Sequence, residues 1–334
     1  MPSLSPDALE AVLAKGLAPL YLIHGEEALL ALEAADSLRQ QARTQGYLER
    51  EVLTVEAGFD WSLLRDAMSS VSLFASLKML EIRIPSGKPG NEGAEALQQL
   101  AAHPPADTIT LITLPRLEKT QLQSKWFVAL EKAAVVVEAK PVARQELGGW
   151  ISRRMKRQRQ QLSAEALSFF VDRVEGNLLA ARQEVDKLAL LYPAGELTLE
   201  QLREAVANVA RFDVFHLSES WLSGDGARVQ RMLDGLLAEG ESPVLVLWSF
   251  TEDVRMLLRL RQGLKDGRQL RDMARELRLW GDKQRLAEPA LRRIGPRKLM
   301  SALSECARID QQIKGMAAGE PWHSLRSLAL LLAT

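Results

Sequence analysis

The sequence predicts an α/β domain built on a mostly parallel sheet, followed by helices alone. Three observations predict it: short apolar runs alternate with helical periodicity over residues 1–140, the strand signal ends at Pro141, and the remainder reads as helix interrupted at glycines. Strands separated by helices require right-handed crossovers, which place a parallel sheet between two helical layers. A chain of 334 residues exceeds one ordinary core, and we expect domains at 1–140, 141–210 and 211–334.

The elements follow in order. Leu20-Tyr21-Leu22-Ile23-His24-Gly25 is a short apolar strand ending in glycine, and residues 27–45 carry Leu29, Leu30, Leu32 and Leu38 at helical spacing. Over 51–56, Val52, Thr54 and Glu56 alternate with Leu53 and Val55, the pattern of a second strand. Asp60 is placed to cap a helix bearing Leu63, Leu64, Ala67 and Met68. A third strand over 79–84 stops at Pro85, and 86–93, with Pro89 and several glycines, reads as a loop. Residues 95–102 are helical, 108–114 form a β-branched strand, 121–132 another helix, and 133–139 a fifth strand.

Between the helix near 60–68 and the third strand stands Ser70-Val71-Ser72-Leu73-Phe74. Its Leu-Phe pair reads either as core that begins the strand early or as a plug held out for a partner's pocket. Burying each side chain would contribute about 1.5–3 kcal/mol, and an aromatic-aliphatic pair suits an interface hot spot.

Beyond Pro141 the helices are expected over 145–161, 164–175, 177–191 and 199–209. They continue over 214–223, 227–239, 243–261, 267–277, a stretch from about 282, 296–313 and 321–333. Breaks are expected at Gly224, Gly226, Gly240, Gly263, Gly295 and Gly315. The run Arg153, Arg154, Lys156, Arg157, Arg159 could meet phosphates, but its charges fall on several helix faces, as on a solvated helix or a subunit contact. Glu184 and Asp186 are spaced like solvated helix charges.

Composition excludes several classes. Lys plus Arg equals Asp plus Glu at 43 each, so the basic excess of a dedicated nucleic-acid binder is absent. A single cysteine, Cys306, allows no internal disulfide and no cysteine zinc site, and the 4 histidines lie far apart, so no metal is expected. Met1-Pro2-Ser3-Leu4 lacks the regions of a signal peptide, and no apolar run approaches the length of a bilayer span, the closest stretch being 325–333. A cytoplasmic protein is expected.

The first strand and its glycine stand where a phosphate loop would. Such a loop needs a second glycine, a lysine and a hydroxyl. Counted from Gly25, those positions hold Leu30, Ala31 and Leu32, and Glu26 and Glu27 would repel phosphate. The third strand ends Arg83-Ile84-Pro85 rather than in the acidic residues that position magnesium and water. No Gly-x-Ser-x-Gly elbow, His-Glu-x-x-His or histidine–cysteine cluster occurs. No catalytic residue and no cofactor are expected.

Taken together, the chain resembles the delta subunit of the bacterial DNA polymerase III clamp loader. The resemblance spans the chain and is carried by Tyr21-Leu22-Ile23-His24-Gly25, Val71-Ser72-Leu73-Phe74-Ala75-Ser76, Trp126-Phe127, Glu175-Gly176-Asn177-Leu178-Leu179-Ala180 and Arg211-Phe212-Asp213-Val214-Phe215-His216. It implies a degenerate AAA+ α/β domain, an all-α lid domain and an all-α collar domain. The nucleotide-sensing arginine of a Gly-x-x-Arg step is replaced, since this chain has Gly176-Asn177-Leu178-Leu179. The Ser-Arg-Cys motif of related subunits is absent, because Cys306 follows Glu305.

The resemblance further implies a replication protein that binds and opens the sliding clamp (the beta subunit) without binding ATP. Its partners would be the ATP-binding gamma/tau subunits and delta-prime in a hetero-pentamer, with primer-template DNA met through the assembled complex. Val71, Ser72, Leu73 and Phe74 would contact the clamp; Ser70 stands where many clamp-binding peptides have glutamine. As a holoenzyme subunit it would be classed with DNA-directed DNA polymerases, which are nucleotidyltransferases. Two other classes stay open on the residues alone: a nucleoside triphosphatase with an unusual site, and an AAA+-like adaptor of another assembly.

Overall fold

The computed structural model describes residues 3–69, 77–206, 210, 212–277, 279 and 281–334, without the side chain of Phe215. They form two compact units, Met1–Ala143 and Arg144–Thr334.

The first unit runs α1 (Pro6–Leu13), β1 (Leu20–Gly25), α2 (Ala28–Thr44), β2 (Glu49–Thr54), α3 (Ser62–Ser69), β3 (Lys78–Arg83), α4 (Gly90–Ala102), β4 (Thr108–Pro115), α5 (Lys119–Leu122), α6 (Lys125–Ala133) and β5 (Val135–Ala139). The five strands lie in the order β2-β3-β4-β1-β5, and every pair is parallel. Leu20 and Leu22 of β1 face a core shared with Leu64, Leu97, Leu100, Phe127 and Leu130, from α3, α4 and α6. Tyr21 and Ile23 face the opposite core with Leu9, Leu13, Ala35 and Leu38, from α1 and α2. A strand buried on both faces must be apolar throughout, which is why Leu20 to Ile23 is an unbroken run. On the edge strand β2 only one face is covered: Leu53, and Val55 just past the strand's end, are buried while Val52 is exposed.

Several boundaries differ from the expectation: the second strand, expected over 51–56, runs Glu49–Thr54, and the fifth, expected from 133, begins at Val135. Residues 90–93, expected in a loop, open α4: Gly93 is a close-packing glycine, since a Cβ there would lie 2.3 Å from Trp61 Cζ2. The helix expected over 121–132 is two, because Ser124 takes an extended conformation and starts α6. Residues 6–13, for which no element was expected, form α1, and Leu4 adds backbone hydrogen bonds to Val136 and Glu138 of β5.

The second unit runs α7 (Arg144–Arg157), β6 (Gln160–Leu162), α8 (Ala164–Val174), α9 (Leu178–Leu191), β7 (Gly195–Leu197), α10 (Leu199–Ala205), a 3-10 turn (Val214–His216), α11 (Leu217–Ser223), α12 (Gly226–Ala238), α13 (Pro243–Lys265), α14 (Leu270–Glu276), α15 (Gly281–Arg293), α16 (Pro296–Ile313) and α17 (Pro321–Ala333). The expected helices are present, but α7 ends at Arg157 rather than 161, with Gln160 and Gln161 instead in β6, and α10 ends at Ala205, where Val206 turns extended; β6 and β7 form a short parallel pair. That pair carries little apolar signal; it is pinned by the buried Gln160 amide, which donates to the carbonyls of Leu188 and Tyr192. Gly263, expected as a break, lies inside α13, where a Cβ would meet Met273 Cε at 2.2 Å. Gly226 likewise opens α12 rather than breaking the chain, behind the Asp225 cap. Glu184, expected on a solvated face, is buried on α9 with its carboxylate 2.6 Å from Lys187 Nζ, whereas Asp186 is exposed. No described helix is long and apolar enough to cross a membrane.

One buried charge in the first unit stands out. Glu81 of β3 is almost fully enclosed and accepts from Arg39, Arg50 and Arg83 at 2.6–3.2 Å. Burial alone would raise its pKa, but the three guanidiniums hold it down to about 2. Since it titrates below its ordinary value of 4.5, its contribution is complete above that pH and is lost as pH falls toward 2. Glu81→Gln is expected to cost about 3 kcal/mol at neutral pH, by leaving the arginines without their shared counter-charge. Urea unfolding across pH 2–7 checks it: the variant should lose part of the acid-dependent fall in stability seen in the parent.

Candidate functional site

The sheet order defines where a ligand would be expected. The connection leaving β1 runs toward β2 and that leaving β4 runs toward β5, in opposite directions across the sheet. In open parallel sheets ligands bind at such a switch point, outside the carboxyl ends of the strands. A cleft of about 390 Å³ lies there, lined by residues that include His24, Glu26, Arg116, Glu138 and Lys140.

The cleft is not equipped for phosphate. Gly25 packs so closely on β5 that a Cβ would lie 2.2 Å from the Ala139 carbonyl oxygen, and its φ is +147°. The backbone N–H groups of Glu26 and Glu27, which a phosphate loop would turn toward its ligand, both donate to that oxygen at 3.0 Å. Glu27 also caps α2 by accepting from Leu29 N, and burial, with Glu26 and Glu33 nearby, raises its carboxyl pKa. Leu30 is buried, Ala31 is half-buried and Leu32 is exposed, so neither a lysine nor a hydroxyl faces the loop.

The other groups of the cleft are paired with one another. Arg116 donates to Glu26 at 2.7 Å across the mouth, and Lys140 lies 3.1 Å from Glu138. Burial acts to raise the Glu138 carboxyl, but Lys140 and the Ser3 hydroxyl outweigh it and hold the group below its usual value. His24 stacks edge-on against Phe127 at 5.4 Å, and burial pushes its pKa down. Trp126 and Phe127, motif residues in the sequence, are therefore core of α6. Among the described residues no cluster of metal-ligating side chains occurs.

The remaining predicted positions divide. Val71, Ser72, Leu73 and Phe74 lie outside the described residues. Their flanks are described: Asp60 accepts from Ser62 N at the start of α3, as expected, and α3 ends at Ser69 while β3 begins at Lys78. Lys78, the first residue of β3, lies on the amino edge of the sheet, opposite the cleft. In the second unit Gly176 has φ +74° and Asn177 caps α9 by accepting from Ala180 N. The position of a sensing arginine holds Leu179, which is exposed. The basic run of α7 sits outside the buried Ile151 and Met155, with Arg154 stacked 4.0 Å over the Trp150 ring.

These features define a doubly wound parallel α/β domain whose switch-point amides are bonded within the chain, followed by a mainly helical second unit. The family model "DNA polymerase III, delta subunit" matches residues 21–140, and the model of that subunit's C-terminal domain matches 211–320. DNA polymerase III subunit delta of Escherichia coli K12 is 30% identical over 329 residues, covering 98% of this chain and 96% of that protein. The Bacillus subtilis subunit delta is 21% identical, covering 89% and 88%. The solved Bacillus subtilis clamp loader delta protein shares the fold, with a TM-score of 0.52 at 20% identity over 98% of this chain and 99% of that one. The chain belongs to the DNA polymerase III delta-subunit family, a clamp-loader family of DNA replication.

Two outcomes are expected of the cleft. Gly25→Ala should destabilise the chain by about 1–3 kcal/mol, because the methyl group overpacks the Ala139 carbonyl; chemical denaturation reads this directly. Ala31→Lys with Leu32→Thr restores two residue types of a phosphate loop, yet should bind no ATP by calorimetry, since the loop amides are already committed.

Proposed function

We propose that this chain is the clamp-opening subunit of its loader, acting by contact and binding no ATP of its own. The observation that carries the ATP part is the capture of the Glu26 and Glu27 amides by the Ala139 carbonyl. Without those donors, and with Leu30, Ala31 and Leu32 in place of glycine, lysine and hydroxyl, the switch point has nothing to hold a triphosphate.

In this reading Leu73 and Phe74 enter an apolar pocket of the sliding clamp, Val71 and Ser72 flank them, and α3 presses beside them. Opening the ring requires this surface to bind the open clamp more tightly than the closed one; equal affinity would shift nothing. The free energy for cycling comes from ATP held by gamma/tau subunits in a hetero-pentamer with delta-prime, acting in the cytoplasm. Primer-template DNA is met through the assembled complex, consistent with a net charge of zero. We assign residues 1–140 to clamp contact, 141–210 to a lid and 211–334 to a collar that joins the ring.

Leu73→Ala with Phe74→Ala removes two apolar anchors of about 1.5–3 kcal/mol each, so clamp affinity should fall roughly 10²–10⁴-fold. Surface plasmon resonance on immobilised clamp, with circular dichroism as the fold control, checks it. Undiminished clamp binding by the folded double variant would refute the assignment.

A further inference from the structure

The second unit is compact, but apolar packing is not what the described residues show joining its two parts. The hydrophobic core of α11–α17 draws its buried side chains from Val214 to Ala333 and takes none from α7–α10 among the described residues. Between the parts stands a cluster of charges. Glu175, the residue that ends α8, is buried; its Oε2 accepts from Arg144 Nη1 at 2.5 Å, and its Oε1 accepts from Arg228 Nη2 at 2.5 Å and Nε at 3.1 Å. Asp172 Oδ1 accepts from Arg144 Nη2 at 2.5 Å and from Arg231 Nη2 at 3.0 Å.

The arrangement has a direction. Arg144 opens α7 and pins both carboxylates from within the small helical part, whereas Arg228 and Arg231, one turn apart on α12, reach them from the C-terminal helices. Arg144 thus pre-orients Asp172 and Glu175 for the two α12 guanidiniums. Charge-assisted hydrogen bonds of this kind fix orientation far more sharply than apolar contact, which tolerates sliding. Glu175 is also the first residue of the Glu175-Gly176-Asn177 turn, whose neighbouring Leu179 stands where a nucleotide-sensing arginine would be expected.

We propose that Asp172 and Glu175, held by Arg144 and gripped by Arg228 and Arg231, form an ionic latch that sets the angle between α7–α10 and α11–α17. The turn that would otherwise carry a nucleotide sensor is here fastened to the C-terminal helices. Releasing the α12 arginines frees the small helical part to turn without unfolding either part. This inference rests on the geometry of the second unit and is independent of the clamp reading.

The test uses the full chain with spin labels at Leu190→Cys and Met300→Cys, both exposed, while the native Cys306 is buried. Pulsed electron spin resonance should give a single narrow distance distribution in this background. Arg228→Gln with Arg231→Gln should broaden it and shift its mean while far-UV circular dichroism is unchanged. Arg326→Gln, which removes the exposed Arg326–Asp234 pair within the C-terminal helices, should leave it unaltered. A distribution in the arginine double variant as narrow and centred as in the background overturns the latch. Should that variant not fold, Asp172→Asn, which keeps Glu175 between Arg144 and Arg228, is read the same way: broadening supports the latch and an unchanged distribution overturns it.

Discussion

The first unit depends on one close approach, that of the β1–α2 turn to the end of β5. Gly25 has no Cβ, so the Ala139 carbonyl comes within reach of two successive amides, those of Glu26 and Glu27. The contact seats α2 against the sheet and at the same time consumes the donors that would serve a phosphate. One contact thus both shapes the turn and occupies its amides. The ion pairs Glu26–Arg116 and Glu138–Lys140 then neutralise what is left of the cleft.

With the amides at its switch point already bonded to β5, the chain is, in our proposal, one that works through its surfaces. That is consistent with membership of a clamp-loader family. Two edges of the sheet are distinct: the cleft lies at the carboxyl ends, and β3 begins at Lys78 on the amino edge, next to the segment we propose for clamp contact. In the second unit the corresponding economy is electrostatic, with Glu175 at the α8–α9 turn engaged by arginines.

Much of the fold was legible in the sequence because burial writes a short-range pattern. Leu20 to Ile23 is apolar throughout since both faces are covered, and Leu53 and Val55 alternate with exposed neighbours since only one is. What escaped was tertiary in origin. Gly93 and Gly263 looked like breaks, yet each makes room for one large side chain, Trp61 and Met273. Glu184 is spaced like a surface charge, and Gln160 pins a two-stranded pair that has no strand signature of its own. The Arg144–Asp172–Glu175–Arg228–Arg231 cluster draws on three helices far apart in sequence, which no local periodicity encodes. At the candidate site, the missing lysine and hydroxyl after Gly25 were readable, but the occupied amides were not. The proposal of a clamp contact at Leu73 and Phe74 rests on family resemblance, because an apolar pair before a strand otherwise reads as core.

The most direct measurement is hydrogen–deuterium exchange of the full chain, taken alone, with ATP and with the sliding clamp. We predict that the clamp protects amides within residues 70–76 and that ATP changes nothing at residues 25–32. Protection of 25–32 by ATP, or clamp binding that leaves 70–76 unprotected, would contradict the account.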